Sequence, residues 1–239
     1  MDARDEYVQE LRAAGIIPKE SNYRGKKVYV DLSKIFISPS VEIGEGSIIW
    51  PNVYLLGETK IGESCEIGPD VTLQDTTIGN NTKIKRGCEI ARSQIGSDCA
   101  FNPFCYINSS SVADGCIIWV NVSMFHAEIN KSVVVHRDSR IVWTIIGDHS
   151  TIEAACQLKY AAIGTNCTIC HSIIEGEKFD EETLACGERS MVIGDFCSIG
   201  PWAHIHGFVV INPQTQVKQA DITNPPPQIG QAAITNPFQ

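Results

Sequence analysis

The most regular feature of the chain is an aliphatic residue that recurs every six positions. The series begins with Ile37, Ile43, Ile49, Leu55, Ile61, Ile67 and Leu73. Four positions after each aliphatic residue comes a small or β-branched residue, such as Val41, Ser47 or Val53. A period of six fits neither an amphipathic helix nor simple strand alternation, but it fits a short strand and a turn on each side of a triangular prism. The pattern predicts an all-β fold, a single-stranded parallel β-helix with three strands per coil.

A second period fixes the shape of the coil. The first aliphatic residue of successive coils recurs every seventeen positions, at Ile61, Ile78, Ile95, Val112, Ile129, Ile146 and Ile163. Three six-residue units would make a coil of eighteen residues, whereas each of these coils has seventeen. Because the same residue is missing from each coil, we expect one corner of the prism to be a residue shorter than the other two. The repeats predict about ten coils over residues 36–217.

The cysteines follow this repeat. Of the ten cysteines, eight occupy the same small position as Val41 and Ser47: Cys65, Cys88, Cys99, Cys105, Cys116, Cys156, Cys167 and Cys197. A short secreted chain would use so many cysteines as a disulfide framework, but here their spacing is that of the repeat. We interpret these eight as small buried packing residues rather than metal or redox groups, and leave Cys170 and Cys186 open.

The pattern is interrupted once and is absent at both ends. It stops after Ile174 and resumes at Ile193, which predicts an insertion loop over 175–192, either on a binding face or simply acidic surface. Residues 1–35 form a lead-in with a short predicted helix over 3–14. Residues 218–239 form a proline-rich extended tail in which ITNP occurs twice, and it either clasps a neighbouring subunit or is disordered.

Charge and hydropathy exclude some functions. The net charge of −9 argues against general nucleic-acid binding. No run of 18 apolar residues exists, and the N-terminus lacks the order of a secretion signal. We therefore expect a soluble, cytoplasmic protein with no membrane or nucleic-acid partner.

Several positions that the repeat directs outward are apolar. These are Ile117, Val134, Ile145 and Ile174, to which Trp119, Val142 and Trp143 add large side chains. An apolar patch of this size on a soluble protein usually marks an interface. The pattern predicts a homo-oligomer with coils 112–146 at its centre.

Three stretches resemble a known family. They are EYVQELRAAGI, VEIGEGSIIWPNVYLLGETKIGESCEIGPDVTLQDTTIG, and the insertion followed by MVIGDFCSIG. With them the chain resembles the hexapeptide-repeat acyltransferases, and within these the acetyltransferase domain of bifunctional N-acetylglucosamine-1-phosphate uridyltransferase. The resemblance implies a left-handed β-helix, a homotrimer, and acyl transfer from acetyl-CoA to a sugar phosphate or nucleotide sugar.

The functional residues of that family are not retained. There a histidine acts as general base, a tyrosine holds the substrate, and an arginine and a lysine bind phosphate. With Cys99 as the anchor, the arginine, lysine, histidine and tyrosine positions fall on Asn108, Phe125, Arg137 and Arg140. With the insertion as the anchor, the histidine and tyrosine positions fall on Ala154 and Gln157.

Other residues are candidates for the same chemistry. His136 is one residue from the family's base position, and Arg137 and Arg140 could hold an anionic substrate; these three are our catalytic candidates, unless they are solvated or interface residues. Asn108, Lys159 and Tyr160 are candidates for substrate binding.

His204 and His206 flank Ile205 near the coils where relatives bind acetyl-CoA, so we assign them to cofactor binding. The γ-class carbonic anhydrases share the fold but need a histidine pair five residues apart, and the six histidines here lack that spacing. We predict no metal site.

Two functional hypotheses follow. The first is an acyl-CoA-dependent acyltransferase with altered substrate specificity. The second is a catalytically inactive scaffold or assembly subunit that keeps the β-helix without the site.

Overall fold

The structure, a computed structural model, describes residues 20–23, 25–30, 35–176, 191–207, 209–218, 221–222 and 234–235. In this part of the chain all regular secondary structure is β, arranged as three sheets that form the sides of a prism. The helix predicted over 3–14, most of the insertion and Cys186 lie outside the described residues.

Short strands make up each sheet. Sheet A has 13 strands: β1 Glu20–Tyr23, β2 Lys26–Val30, β5 Ile48–Ile49, β8 Glu66–Ile67, β11 Lys83–Ile84, β14 Ala100–Phe101, β17 Ile117–Ile118, β20 Val134–Val135, β23 Thr151–Ile152, β26 Thr168–Ile169, β29 Ser198–Ile199, β32 Gln216–Val217 and β34 Ile234–Thr235. Sheet B has 11: β3 Phe36–Ile37, β6 Tyr54–Leu56, β9 Thr72–Gln74, β12 Glu89–Ala91, β15 Tyr106–Asn108, β18 Ser123–Phe125, β21 Arg140–Val142, β24 Gln157–Lys159, β27 Ile173–Glu175, β30 His204–His206 and β33 Asp221–Ile222. Sheet C has 10: β4 Glu42–Ile43, β7 Lys60–Ile61, β10 Thr77–Ile78, β13 Gln94–Ile95, β16 Ser111–Val112, β19 Glu128–Ile129, β22 Ile145–Ile146, β25 Ala161–Ile163, β28 Met191–Ile193 and β31 Val209–Ile211.

The register confirms the seventeen-residue repeat. Ile61 pairs with Ile78, and Ile78 with Ile95, in parallel strands of sheet C. Equivalent residues of successive coils therefore stack in columns along the axis. The fold is a left-handed parallel β-helix of about ten turns, as predicted.

The core is one continuous column of inward side chains. From Ile43 onward the aliphatic positions of the repeat are buried in each described coil, and Phe101 is the largest of these side chains. The small positions beside them are filled by Val, Ala, Ser, Thr and Cys, because the three walls leave little room at these sites.

Eight cysteines lie in these small columns, all buried and unpaired, which confirms their interpretation as packing residues. Their thiols also donate hydrogen bonds. Cys65 Sγ lies 3.0 Å from the Gly79 carbonyl oxygen, and the hydroxyls of Ser47 and Thr82, its neighbours in the column, bond equivalent carbonyls at 2.8 Å. Cysteine here replaces serine or threonine as an inward donor, which the repeat alone did not reveal.

The short corner joins sheet B to sheet C. From Gly57 to Tyr160 one residue of this corner has positive φ in each coil, and some of these residues are bulky: Arg92 at 49°, His126 at 49°, Trp143 at 49° and Tyr160 at 52°. Left-handed backbone of this kind normally favours glycine, which is found near the two ends at Gly57 and Gly207.

The insertion leaves from this short corner, after β27 and before β28. Ile163 nevertheless pairs with Ile193 in the same way as equivalent residues of other adjacent coils, so the insertion does not disturb the stacking. Glu175, Met191 and Val192 are paired strand residues, so the departure from the repeat is narrower than the predicted 175–192.

Strands outside the repeat extend two sheets. β1 pairs with β2 in an antiparallel hairpin, and β2 joins sheet A through β5. At the other end β33 continues sheet B, and β34 pairs antiparallel with β32. Both ends of sheet A therefore carry an antiparallel strand contributed by segments predicted as lead-in and tail.

One predicted outward residue is wrong. Ile174 is fully buried, because it lies five positions after Ile169 instead of six, and Ile173 is therefore the outward residue of β27. Ile117, Trp119 and Val120 are exposed by 39%, 43% and 37%, and Val134 and Ile145 are half-buried. The described residues include no helix long and apolar enough to cross a membrane.

Candidate functional site on the outer face of sheet B

Five of the predicted site residues lie on one surface. Side chains that alternate outward along a strand, in register from coil to coil, form columns on the outer face of a sheet. Tyr106, Ser123, Arg140, Gln157, Ile173 and His204 form one such column on sheet B. Asn108, Phe125, Val142, Lys159, Glu175 and His206 form the second. The structure thus places Asn108, Arg140, Lys159, His204 and His206 on the same face.

His136 and Arg137 lie at the corner between sheets A and B, at the edge of this face. His136 is half-buried, and its ring stacks on Trp119 of the preceding coil, with centroids 5.7 Å apart and planes 5° from parallel. Arg137 is exposed, with its Nε 4.0 Å from Asp138 Oδ2. The base candidate is therefore held by an aromatic ring, and the nearer arginine is already close to a carboxylate.

Arg140 and Asn108 occupy the first part of the face. Arg140 is exposed, and no carboxylate of the described residues lies within ion-pair distance of it. Asn108 Oδ1 accepts hydrogen bonds from Arg92 Nη2 at 3.0 Å and from the Ser109 hydroxyl at 2.8 Å. The family's arginine aligns with Asn108, and the bond from Arg92 brings a guanidinium to that position. Sequence reasoning missed Arg92, whose position one coil before Asn108 was the available signal.

Lys159 and Tyr160 are less available than predicted. Lys159 Nζ donates to Glu175 Oε1 at 2.7 Å in a partly buried ion pair between neighbouring coils. Its ammonium is therefore already balanced by a carboxylate. Tyr160 is half-buried at the short corner and its backbone N–H is bonded to the Val142 carbonyl.

His204 and His206 lie near the C-terminal end of the face. Their rings meet edge to face with centroids 6.4 Å apart. Three coils separate them from Arg140, which corresponds to about 14 Å at the usual strand spacing. The exposed Lys218 follows β32 at the corner between sheets A and B, one coil beyond Gly200. It and the two imidazoles are the side chains toward this end that could bind the phosphates of an acyl-CoA.

Aromatic side chains complete the face, and these too were missed. Tyr106 and Phe125 lie with ring centroids 5.2 Å apart and planes tilted by 33°. At the adjoining short corner, His126 stacks on Trp143 at 4.1 Å with planes 6° from parallel. The seventeen-residue spacing of His126 and Trp143, shared by Trp119 and His136, was the signal in the sequence.

The described residues contain no cluster of three or more His, Cys, Asp or Glu side chains placed to hold a metal ion. Cys170, whose role the sequence left open, is partly exposed at a corner between sheets A and B. Burial, together with the nearby Glu153 carboxylate, raises the pKa of the Cys170 thiol. Cys170 is therefore not an activated thiolate nucleophile.

The chain is similar to known hexapeptide-repeat proteins. Residues 32–114 match the family model of the GMPPB C-terminal domain. The Bifunctional protein GlmU of Halalkalibacterium halodurans is 31% identical over 120 residues, and that of Mycobacterium ulcerans is 34% identical over 126 residues. These alignments cover 50% and 52% of this chain but only 25% of each relative. The sequence resemblance is thus confirmed, while the chain spans about a quarter of the length of these relatives.

A solved structure supports the fold independently. The UDP-N-acetylglucosamine O-acyltransferase LpxA from Moraxella catarrhalis superposes with a TM-score of 0.54, covering 73% of this chain and 70% of that one. Sequence identity is 14%, so the likeness concerns the fold alone.

Proposed function

We propose that the protein is an acyl-CoA-dependent acyltransferase that acts on a sugar phosphate or nucleotide sugar. The observation that carries the proposal is the convergence of Arg140, Asn108, His204 and His206 on one face of sheet B, with His136 at its edge. Similarity to GlmU over half of the chain supports the reaction class.

The proposed roles follow from position and charge. Acyl-CoA supplies the activated acyl group. His136 accepts a proton from the acceptor's amine or hydroxyl as that group forms its bond to the acyl carbon and the carbon–sulfur bond breaks. Arg137 and Arg140 hold the anionic part of the acceptor, with Asn108, Lys159 and Tyr160 beside it. His204, His206 and Lys218 hold the phosphates of the donor, for which we propose acetyl-CoA.

The working unit that we propose is a cytoplasmic homotrimer. The exposed Ile117, Trp119 and Val120 form an apolar patch that a second copy would cover. Because His136 stacks on Trp119, a partner subunit bound to this patch would form one side of the proposed site.

The test is acyl transfer followed by mass spectrometry of the product, which avoids thiol reagents in a cysteine-rich protein. Acetyl-CoA is supplied with glucosamine 1-phosphate or UDP-linked amino sugars as acceptors. We expect His136→Gln to lose about 100-fold or more in rate, the usual contribution of a general base. The matched control is His149→Gln, an exposed histidine at the corner between sheets C and A. Equal rates for both variants would rule out His136 as the base.

A second candidate function is a catalytically inactive scaffold. It is favoured by the ion pairs that occupy Arg137 and Lys159, together with the apolar patch. It predicts stable association with a partner and no product with any acceptor. Turnover by the purified protein would eliminate it.

A further inference from the structure

Among the described residues, Arg92 at the short corner and Arg140 on sheet B have no carboxylate partner. The described residues include four arginines, of which Arg86 lies 3.7 Å from Asp70 and Arg137 lies 4.0 Å from Asp138. Arg92 and Arg140 make no ion pair within that part of the chain. In a chain of net charge −9, two unbalanced guanidinium groups that border one surface form a local site for an anion.

Arg92 and Arg140 lie at opposite ends of one stretch of this face. Arg92 lies at the short corner after β12, and its bond to Asn108 directs it one coil toward Arg140. Asn108 and Arg140 belong to β15 and β21, which are two coils apart, or about 10 Å at the usual strand spacing. Two extended arginine side chains can both reach one phosphate across this interval, and an ester group attached to that phosphate would lie on the surface between them.

The surface between the arginines is aromatic. Tyr106 and Phe125 form its floor, with the Ser123 hydroxyl beside them. Aromatic faces pack well against flat rings and against the apolar faces of sugars, and they do so while one edge stays in water. The aromatic surface is therefore suited to pack against the ring of a ligand, and the arginines are suited to bind its phosphate.

We propose that the outer face of sheet B between Arg92 and Arg140 binds a phosphate ester whose ring lies on Tyr106 and Phe125. Arg92 and Arg140 provide the charge-assisted hydrogen bonds to the phosphate oxygens. Asn108 holds Arg92 in place through its amide oxygen and leaves its own N–H₂ free to donate to the ligand. The assignment as the acceptor site rests on the proposed function, whereas binding itself does not.

The ring could belong to a sugar phosphate, a nucleotide sugar or coenzyme A. Calorimetric titration with N-acetylglucosamine 1-phosphate, UDP-N-acetylglucosamine and coenzyme A separates these sources by affinity. N-acetylglucosamine, which lacks the phosphate, is the fourth probe. We expect at least one phosphate ester to bind, and to bind more weakly as salt is raised.

Substitutions then locate the site. Arg92→Gln and Arg140→Gln should each weaken binding of the phosphate ester tenfold or more, and Phe125→Leu should weaken it severalfold. The matched control is Arg86→Gln, an exposed arginine at the corner between sheets A and B, which should leave affinity unchanged. Thermal unfolding of each variant establishes that the solenoid is intact.

The outcomes are distinct. Absence of binding by every phosphate ester overturns the inference, as does binding that Arg92→Gln and Arg140→Gln leave unchanged. Loss of binding in these two variants with no acyl transfer by the parent protein supports the inference and removes the proposed function. Loss of both binding and turnover supports the two together.

Discussion

At the scale of single residues, the inward cysteines act as hydrogen-bond donors as well as packing groups. Cys65 stands between Ser47 and Thr82 in its column, and all three side chains bond a corner carbonyl of the next coil. A thiol is a weaker hydrogen-bond donor than a hydroxyl but is more apolar. Cysteine and serine should therefore contribute about equally to the stability of the fold at this position.

The exchange of Cys65 for serine tests this balance. We expect Cys65→Ser to change the free energy of unfolding by no more than about 0.5 kcal/mol, because the Gly79 carbonyl keeps its donor. Cys65→Ala should cost about 1 kcal/mol more, since that carbonyl then loses its partner in the core. Urea denaturation measures both, and a larger loss for serine than for alanine would mean that apolar packing dominates.

Alkaline pH should destabilise the core through Cys156. Burial raises the pKa of this thiol to about 11, from 9.0 in the unfolded chain. A raised pKa stabilises the folded state fully below pH 9, and this contribution is lost as pH rises from 9 to 11. The urea midpoint of the parent protein should therefore fall across this window. Cys156→Ser should show a shallower fall, and an identical pH dependence would contradict the assignment.

At the scale of the element, each corner has its own steric demand. At Gly79 the corner between sheets C and A brings backbone against backbone. A Cβ added at Gly79 would lie 2.5 Å from the Gly96 carbonyl carbon and 2.6 Å from the Ser97 nitrogen. Neither atom can move without displacing a coil.

Gly79→Ala should therefore destabilise the protein by about 2 kcal/mol, as overpacked sites do. The control is Ala113→Gly at the same corner of a later coil. This change only adds backbone entropy to the unfolded chain, so the expected loss of stability is about 1 kcal/mol or less. Thermal unfolding compares them. Equal losses would show that the corner can expand.

The strands and their register followed from the six-residue period because apolar burial alone sets that pattern. Ile174 was placed on the wrong face because the corner before it is a residue shorter, and no local signal marks where a shortened corner falls. The pairing of β34 with β32 was also not predictable, since a two-residue strand carries too little sequence information.

The site was predicted only in part. Asn108 and Arg140 were candidates through the resemblance, and the structure places them on the same face of sheet B. The Lys159–Glu175 ion pair and the Arg92–Asn108 bond were missed, because they depend on side-chain reach between coils rather than on position in the repeat. Side-chain rotamers of long residues are not encoded in hydrophobic periodicity.

At the scale of the whole molecule, the apolar patch should control self-association. Ile117→Lys should convert the proposed oligomer to monomer, because a charge would be buried against a second copy. The control is Phe196→Lys, which removes an even more exposed aromatic side chain, 59% accessible, at the corner between sheets C and A. Light scattering after gel filtration measures the mass. A monomeric parent, or equal effects of the two variants, would contradict the proposed interface.

The interrupted corner also bears on how the chain folds. Ile146 and Ile163 are neighbours separated by 17 residues, whereas Ile163 and Ile193 are neighbours separated by 30. Closing the longer segment costs about 0.5 kcal/mol more in chain entropy. In a solenoid, where each coil stabilises only the next, that step is a natural pause between two cooperative blocks. The coils before the insertion and the last coils, which bear His204 and His206, would then fold as separate blocks, each able to serve as the template for the other.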